Sequence, residues 1–307
     1  MKKAKQTLSV LLSVFMLLLP LSVCFVSFAA DASGGCGSGL TWTYSEASKT
    51  LTISGNGAMD DYQGKNDVSV RTPWDQYSSM TLRVVIGNGV TKIGSNAFRY
   101  YKSITKVECP QSLETIGEYA FASCTNLVSV KFSSILKNIG AHAFDKCTAL
   151  NTFTIPDSVE NIGDYAFHQC PISDLSLGRK VEMIGGYAFS ECKLVNVTMY
   201  NKVEVIGQNA FYKQSGKTTN TISHVYYYGS QADWNAITLG NGNEPLTGAQ
   251  LHILGAPSDS VTPTNPTTPT SPTQPTQPTQ EESPAKLSFF ERIIQMILDF
   301  FARLFGR

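Results

Sequence analysis

The sequence predicts a β-rich α/β solenoid, in which short units stack side by side around one continuous apolar core. Two observations predict it. The motif Ile-Gly-x-x-Ala-Phe occurs six times, and successive copies begin 23, 23, 23, 22 and 22 residues apart. A fixed period in this range, with apolar residues at the same places in each copy, is typical of repeat proteins whose units bury their apolar faces only against their neighbours. The copies begin at Ile93, Ile116, Ile139, Ile162, Ile184 and Ile206.

Each unit has four parts that follow one another in a fixed order. A short strand comes first, for example from Leu150 to Ile155, and a turn that often holds Pro or Gly follows it. A second apolar pair leads into the Ile-Gly anchor, whose glycine is expected either to adopt a backbone conformation or to make a close approach that a Cβ would obstruct. The unit closes with Ala-Phe-x-x-Cys, which we expect to form a single helical turn with Phe and Cys on one face. Strands of successive units are expected to pair in parallel, about 4.8 Å apart.

Residues 31–80, before the repeats, are predicted to form an N-terminal β cap. Leu40–Tyr44 and Thr50–Ile53 alternate polar and apolar residues on either side of a polar turn, which predicts a β-hairpin. A solenoid needs a cap because its end unit otherwise exposes apolar core and an unpaired strand edge. Trp42 and Trp74 are therefore interpreted as packing residues of the cap, with Trp74 as its lid, in preference to ligand platforms.

Residues 1–30 are predicted to be a secretory signal peptide, which is removed from the mature protein. Three lysines occur in the first five residues, residues 8–26 are apolar, and residues 27–29 form a small-x-small cleavage site. Two alternatives stay open: an N-terminal membrane anchor, and lipidation of Cys24, for which Val23 is an unusual preceding residue.

The charge balance argues against nucleic acid as a partner. The 307 residues include 24 Lys and Arg and 24 Asp and Glu, and the three N-terminal lysines belong to the predicted signal peptide. The remaining chain is mildly acidic, whereas affinity for DNA or RNA rests on neutralising phosphates with basic side chains.

Residues 81–256 are assigned to the solenoid and its C-terminal cap. The unit Leu-x-x-Val-x-Ile-Pro-x-x-Val-x-x-Ile-Gly-x-x-Ala-Phe-x-x-Cys, clearest from Leu150 to Cys170, resembles the BspA-type (Treponema-type) leucine-rich repeat of bacterial surface proteins. The cap and the closing segment 225–237 are similar to those of such proteins in Gram-positive gut anaerobes. The resemblance implies adhesion or protein binding at the cell surface, and it supplies no family-wide site. The last repeat departs from the pattern, with Gln214 in place of its cysteine and an insert after it.

Four cysteines fall three residues after the repeat phenylalanine and so share one structural position: Cys124, Cys147, Cys170 and Cys192. They are interpreted as buried thiols that act as small apolar side chains. Disulfides and a metal site remain alternatives, although no Cys-x-x-Cys pair accompanies them.

No catalytic constellation, metal site or cofactor is predicted. Gly-x-Ser-x-Gly is absent, and His142 and His168 occupy variable slots of the repeat, where exposed loop or turn residues are expected. The sequence therefore predicts a protein that is not an enzyme.

The solvent-facing residues of the repeat strands are predicted to form the binding surface, on the concave side of the solenoid. They are small, polar and mixed in charge, which favours contact with another protein. The predicted binding residues are Lys106, Glu108, Lys131, Thr152, Thr154, Asp174, Asn196, His224 and Tyr226. Glycan binding is the second hypothesis, with Tyr226, Tyr228 and Trp234 as the aromatic platform. An architectural role in the cell envelope is the third.

The C-terminal tail has two parts. Residues 257–284 form a Pro/Thr/Gln linker that is predicted to be disordered and extended. Residues 285–307 predict an amphipathic helix with a net charge of +2 from residue 286 onward. Three roles of this helix stay open: anchoring in a membrane interface, self-association or binding to a partner helix, and a transmembrane stop. Spanning a membrane would bury four charged side chains. Its apolar residues are Phe289, Phe290, Ile293, Ile294, Ile297, Phe300, Phe301 and Leu304. Together these features predict an exported cell-surface binding protein.

Overall fold

The computed structural model of the chain describes residues 32–63, 71–151, 153–213 and 222–255. The predicted signal peptide, the linker, the C-terminal helix, Gln214 and the insert after it lie outside the described residues. Within the described ranges, no helix has the length and apolarity that crossing a membrane requires.

The described residues form eighteen strands, one 3-10 helix and two short α-helices. The strands are β1 (Ala32–Gly35), β2 (Leu40–Ser45), β3 (Thr50–Gly55), β4 (Gly57–Ala58), β5 (Arg83–Ile86), β6 (Val90–Ile93), β7 (Lys106–Glu108), β8 (Thr115–Ile116), β9 (Ser129–Lys131), β10 (Asn138–Ile139), β11 (Asn161–Ile162), β12 (Asp174–Ser176), β13 (Met183–Ile184), β14 (Asn196–Tyr200), β15 (Val205–Ile206), β16 (His224–Tyr228), β17 (Thr238–Leu239) and β18 (Gln250–Ile253). The 3-10 helix is Asp75–Tyr77, and the α-helices are α1 (Gln231–Ala236) and α2 (Glu244–Thr247).

The strands form three sheets that run along the repeat direction. One sheet has the order β1-β2-β3-β5-β7-β9, a second β12-β14-β16-β18, and a third β17-β15-β13-β11-β10-β8-β6-β4. Pairing between successive repeats is parallel, as predicted. We call the solvent side of β5, β7, β9, β12, β14, β16 and β18 the first face, and the solvent side of the third sheet the second face.

The N-terminal hairpin is confirmed, and it starts the sheet of the solenoid. Strands β2 and β3 pair antiparallel with Trp42 opposite Ile53, and β3 then pairs in parallel with β5. The sequence reasoning missed β1, which adds an outer antiparallel strand. Trp42 and Trp74 are buried, as predicted, with exposed fractions of 5% and 0%.

A column of stacked phenylalanine rings runs through the core between the two faces. Ring centroids of consecutive repeats lie 5.2 to 5.7 Å apart, with the planes within 18° of parallel. Burying each ring contributes about 1.5–3 kcal/mol. The column consists of Phe98, Phe121, Phe144, Phe167, Phe189 and Phe211.

The anchor glycines are required because the backbone of the preceding repeat approaches them closely. A Cβ on Gly117 would lie 2.6 Å from the backbone nitrogen of Ser95, and one on Gly140 would lie 2.7 Å from the carbonyl carbon of Gly117. Neither glycine has a positive φ. Of the two reasons that the sequence left open, close approach is therefore the one that holds at these positions.

The helical turn predicted for Ala-Phe-x-x-Cys is wrong. Tyr119 and Ser123 have φ of 55° and 60°, in the left-handed region. Every second N–H of the segment donates to a carbonyl of the next repeat, as from Phe121 to Ala143 at 2.8 Å, while the N–H groups between them close four-residue turns, as from Ala122 to Tyr119. The backbone satisfies its polar groups between repeats as well as within the segment, so a helix does not form.

Candidate binding face

The structure places the predicted strand residues on the first face. In β7, Lys106 and Glu108 face solvent while Val107 between them is fully buried. Parallel register brings Glu108 beside Lys131, and the same alternation repeats along β12, β14 and β16. Thr154 is exposed between the two groups of strands. Thr152 lies outside the described residues.

The N-terminal end of the first face holds a three-residue ion cluster. A guanidinium nitrogen of Arg83 lies 2.7 Å from Glu108 Oε1, and Lys106 Nζ lies 3.0 Å from the same oxygen. The hydrogen bonds from Arg83 and then Lys106 lower the pKa of Glu108 below its ordinary value. Because the cluster is exposed, it orients these side chains more than it stabilises the fold.

Further along the face, Asp174 and Asn196 are joined across the register of β12 and β14. Asn196 Nδ2 donates to Asp174 Oδ1 at 2.7 Å, and Ser173 Oγ donates to the other carboxylate oxygen at 2.7 Å. The carboxylate is thereby held in one orientation.

At the C-terminal end, β18 adds a residue that the prediction did not include. Nε2 of His252 lies 3.1 Å from Nδ1 of His224. The ring of His252 also stacks on Tyr226, with centroids 4.8 Å apart. The signal in the sequence was present but weak, since Gln250–Ile253 alternates like a strand without carrying the repeat motif.

The three aromatic residues of the predicted glycan platform do not come together. Tyr226 stacks on His252, and Tyr228 stacks on Tyr200. Trp234 instead contacts the buried ring of Tyr227 edge-on, at 5.2 Å, and so packs against the core.

A groove interrupts the first face at the fourth repeat. The strand predicted from Leu150 to Ile155 is not formed in the described residues of that stretch, and the sheet that ends at β9 is separate from the sheet that begins at β12. Phe153 stands where the neighbouring repeats have valine or leucine, and it meets Phe132 edge-on at 6.0 Å. The larger ring of Phe153 packs against Phe132 and Phe167 at the place where the regular strand pairing is interrupted.

The groove has a volume of about 460 Å³ and combines apolar and polar walls. Two predicted binding residues, Lys131 and Thr154, lie on it. Its other lining residues are Gln111, Val130, Phe132, Ser133, Ser134, Phe153 and Pro156.

A second aromatic column, which the sequence reasoning missed, lies along the turns of the repeats. Tyr119, His142, Tyr165 and Tyr187 stack with centroids 4.3, 4.7 and 4.6 Å apart, and the planes are within 7° of parallel. All four have φ near +56°, which places them at the same point of the turn. The available signal was an aromatic or histidine residue two positions before the repeat phenylalanine.

The prediction that the repeat histidines are exposed is wrong. The side chains of His142 and His168 are 23% and 16% exposed, and Asp145 lies beside both of them. His168 Nδ1 is 2.8 Å from Asp145 Oδ1. The contact between His168 and Asp145 joins one repeat to the next, and His142 packs within the same turn as Asp145.

The cysteines of the repeats are buried thiols in the structure. Each Sγ donates to the carbonyl of a repeat phenylalanine, for example from Cys124 to Phe98 at 3.1 Å and from Cys192 to Phe167 at 3.2 Å. Burial raises the pKa of Cys192 to about 12. Across the described residues, no group of three or more His, Cys, Asp or Glu side chains is placed to hold a metal ion.

The repeat motif matches a known family. A family model for the BspA type leucine rich repeat region matches residues 76–192 and 160–235, in six copies. The two stretches together cover more than half of the 307 residues. The chain belongs to this family. The resemblance inferred from the motif and the predicted repeat fold are thereby confirmed, while the C-terminal linker and helix lie beyond the match.

Several solved structures are similar to this leucine-rich repeat protein. A leucine-rich repeat protein from Eubacterium ventriosum is 21% identical, with a TM-score of 0.43 over 66% of this chain and 45% of that one. One from Bacteroides ovatus is 16% identical, with a TM-score of 0.38 over 71% and 70%. The pneumococcal vaccine antigen PcpA is 15% identical, with a TM-score of 0.42 over 69% and 46%. The chain thus spans less than half the length of the first and third. A search of curated proteins gave no match.

Proposed function

We propose that this leucine-rich repeat protein is an exported, cell-surface binding protein that recognises another protein through its first face, without catalysis. The predicted signal peptide and the family support export and display. The first face supports recognition because its side chains differ from repeat to repeat, whereas the buried phenylalanine column and most of the turn column repeat one kind of side chain.

The observation that carries the proposal is the fixed placement of polar groups on this face. Glu108 is held by Arg83 and Lys106, and Asp174 is held by Asn196. Side chains that are already positioned lose less conformational freedom on binding, which favours a specific partner. Glycan binding is less well supported, because Trp234 packs on the core instead of beside Tyr226.

The proposal is tested by binding of the chain from residue 31 to 307 to an array of host matrix proteins, mucins, bacterial surface proteins and glycans. Any protein hit is then measured with a first-face variant that carries Lys106→Ser, Lys131→Ser and Asp174→Asn. We expect the Kd to rise about tenfold or more, as for substitution of central interface residues.

A matched control carries Lys137→Ser, Lys180→Ser and Glu182→Gln, which change the same charges elsewhere on the solenoid. We expect its Kd to stay within about twofold of the parent, as for exposed residues outside an interface. Equal losses in both variants would contradict recognition by the first face. A hit confined to glycans would favour carbohydrate binding instead.

A further inference from the structure

We propose that the groove of the first face receives a peptide segment of the partner protein in which an aromatic or large aliphatic side chain stands next to an acidic residue. This inference rests on the proposed function, because it names the chemistry that the same face would recognise.

The floor of the groove fits an apolar side chain. Val130 and Phe132 are only 7% and 9% exposed, and Phe153 beside them is half-buried. Phe153 stacks on Phe167 with centroids 4.6 Å apart, so the floor is fixed to the ring column of the core. A volume of about 460 Å³ is within the range of binding pockets and accommodates one large side chain and its neighbours.

The rim supplies a positive charge that is available to a partner. Lys131 is exposed, and within the described part of the chain no carboxylate is paired with its ammonium group. Its register neighbour Glu108 is already bound by Arg83 and Lys106. Lys137, which follows Lys131 in the same repeat, is paired with Glu114. A carboxylate at the rim would therefore complete the charge pairing at Lys131.

The polar walls favour a peptide over a sugar. Ser134 Oγ donates to Gln111 Oε1 at 2.8 Å, and Ser133 Oγ donates to the carbonyl of Leu113. These hydroxyls are engaged within the protein, which leaves few groups for the many hydroxyls of a glycan. The rings of Phe132 and Phe153 meet edge-on, whereas sugars stack on open ring faces.

The position of the groove also suits a chain in an extended conformation. Strand β9 is the last strand of its sheet, and the groove lies along it. Edge strands bind extended peptides through the backbone and select side chains through adjoining pockets.

The test uses the chain from residue 31 to 307 and three blocked peptides, measured by titration calorimetry. The probe is acetyl-Ser-Glu-Trp-Glu-Ser-amide; the second peptide has Gln for both Glu, and the third has Ala for Trp. We expect saturable binding of the probe and weaker binding of both others. Binding of all three with equal strength, or no saturable binding of the probe up to its solubility limit, would overturn the proposal.

Variants locate the peptide. Lys131→Ser is expected to weaken the acidic probe about three- to fivefold, as for loss of an exposed ion pair, and to leave the Gln peptide unchanged. Ser134→Trp, at the exposed rim, is expected to abolish binding by filling the groove. Lys202→Ser is the control, because Lys202 is exposed and does not line the groove, and its probe binding is expected to match the parent. Retention of probe binding in both Lys131→Ser and Ser134→Trp would place the peptide elsewhere and overturn the proposal.

A sulfated heparin oligosaccharide serves as the competing ligand. Binding of the oligosaccharide that depends on Lys131, with no binding of the probe, would overturn the peptide assignment. A protein hit on the array that is lost in the first-face variant, together with no binding of the probe, would retain the proposed function and reject this inference alone.

Discussion

Trp74 stacks on Phe98 with ring centroids 5.7 Å apart and a 23° angle between the planes, so the ring column of the repeats begins in the cap. Trp74 Nε1 also donates to the carbonyl of Ala97 at 3.1 Å, and Tyr101 donates its hydroxyl to the carbonyl of Trp74 at 3.0 Å. The cap residue therefore substitutes for the phenylalanine of a missing preceding repeat.

Trp74→Ala should destabilise the protein by about 3–5 kcal/mol, because it leaves a cavity at the start of the core and an unpaired carbonyl at Ala97. The free energy of unfolding is measured in urea by far-UV circular dichroism. Trp234→Ala is the control: this ring is half-buried and should cost about half as much or less. Equal losses would contradict a capping role for Trp74.

The two glycines of the fifth repeat should respond differently to alanine. A Cβ on Gly185 would lie 2.4 Å from the backbone nitrogen of Asp164, whereas one on Gly186 would lie 3.3 Å from the carbonyl oxygen of Gln208. Gly185→Ala should therefore cost about 2–3 kcal/mol through forced separation of the repeats, and Gly186→Ala about 1 kcal/mol or less. Thermal unfolding of the two variants checks this, and a larger loss for Gly186→Ala would contradict the close-approach argument.

The repeat period and its apolar positions were sufficient to predict the parallel sheets, because each unit meets only its neighbours and the same residues recur. Tyr119 and His142 show what the period could not reveal. Left-handed turns depend on hydrogen bonds to the next repeat, and these are not encoded in the helical or strand periodicity of one segment. The groove required knowledge of which rings adjoin across repeats, as Phe132 and Phe153 do. The pairing of side chains on the first face likewise depends on the register between neighbouring strands, which the sequence pattern did not reveal.

The described cysteines should resist alkylation in the folded protein. Alkylation requires the thiolate, and burial raises the pKa of Cys36 to about 11 and that of Cys109 and Cys192 to about 12. Raising the pH from 7 to 9 leaves these thiols protonated, so iodoacetamide should modify them only after unfolding in urea. Mass spectrometry before and after unfolding checks this. A non-reduced mass lower by two hydrogens per cysteine pair would instead indicate disulfides.

Asp61 should make the junction between the cap and the first repeat sensitive to acid. Partial burial raises the pKa of its carboxyl group. Hydrogen bonds from Lys92 and from the N–H of Ser95, each 2.7 Å long, lower the pKa by more than burial raises it, so the net shift is downward. A lowered pKa in the folded state means that the stabilisation is present above the unfolded pKa, about 3.9, and is lost as the pH falls through the folded value. Because the carboxyl is largely exposed, the effect should be below about 1 kcal/mol.

Asp61→Asn should therefore lower the free energy of unfolding at pH 6 and give a flatter stability profile between pH 5 and pH 2. Urea unfolding at several pH values measures both quantities. Glu182→Gln is the matched control, since Glu182 is exposed on the second face and no ion pair joins it to the described residues. The same flattening in Glu182→Gln would show that overall charge, and not the contact with Lys92, causes the acid sensitivity.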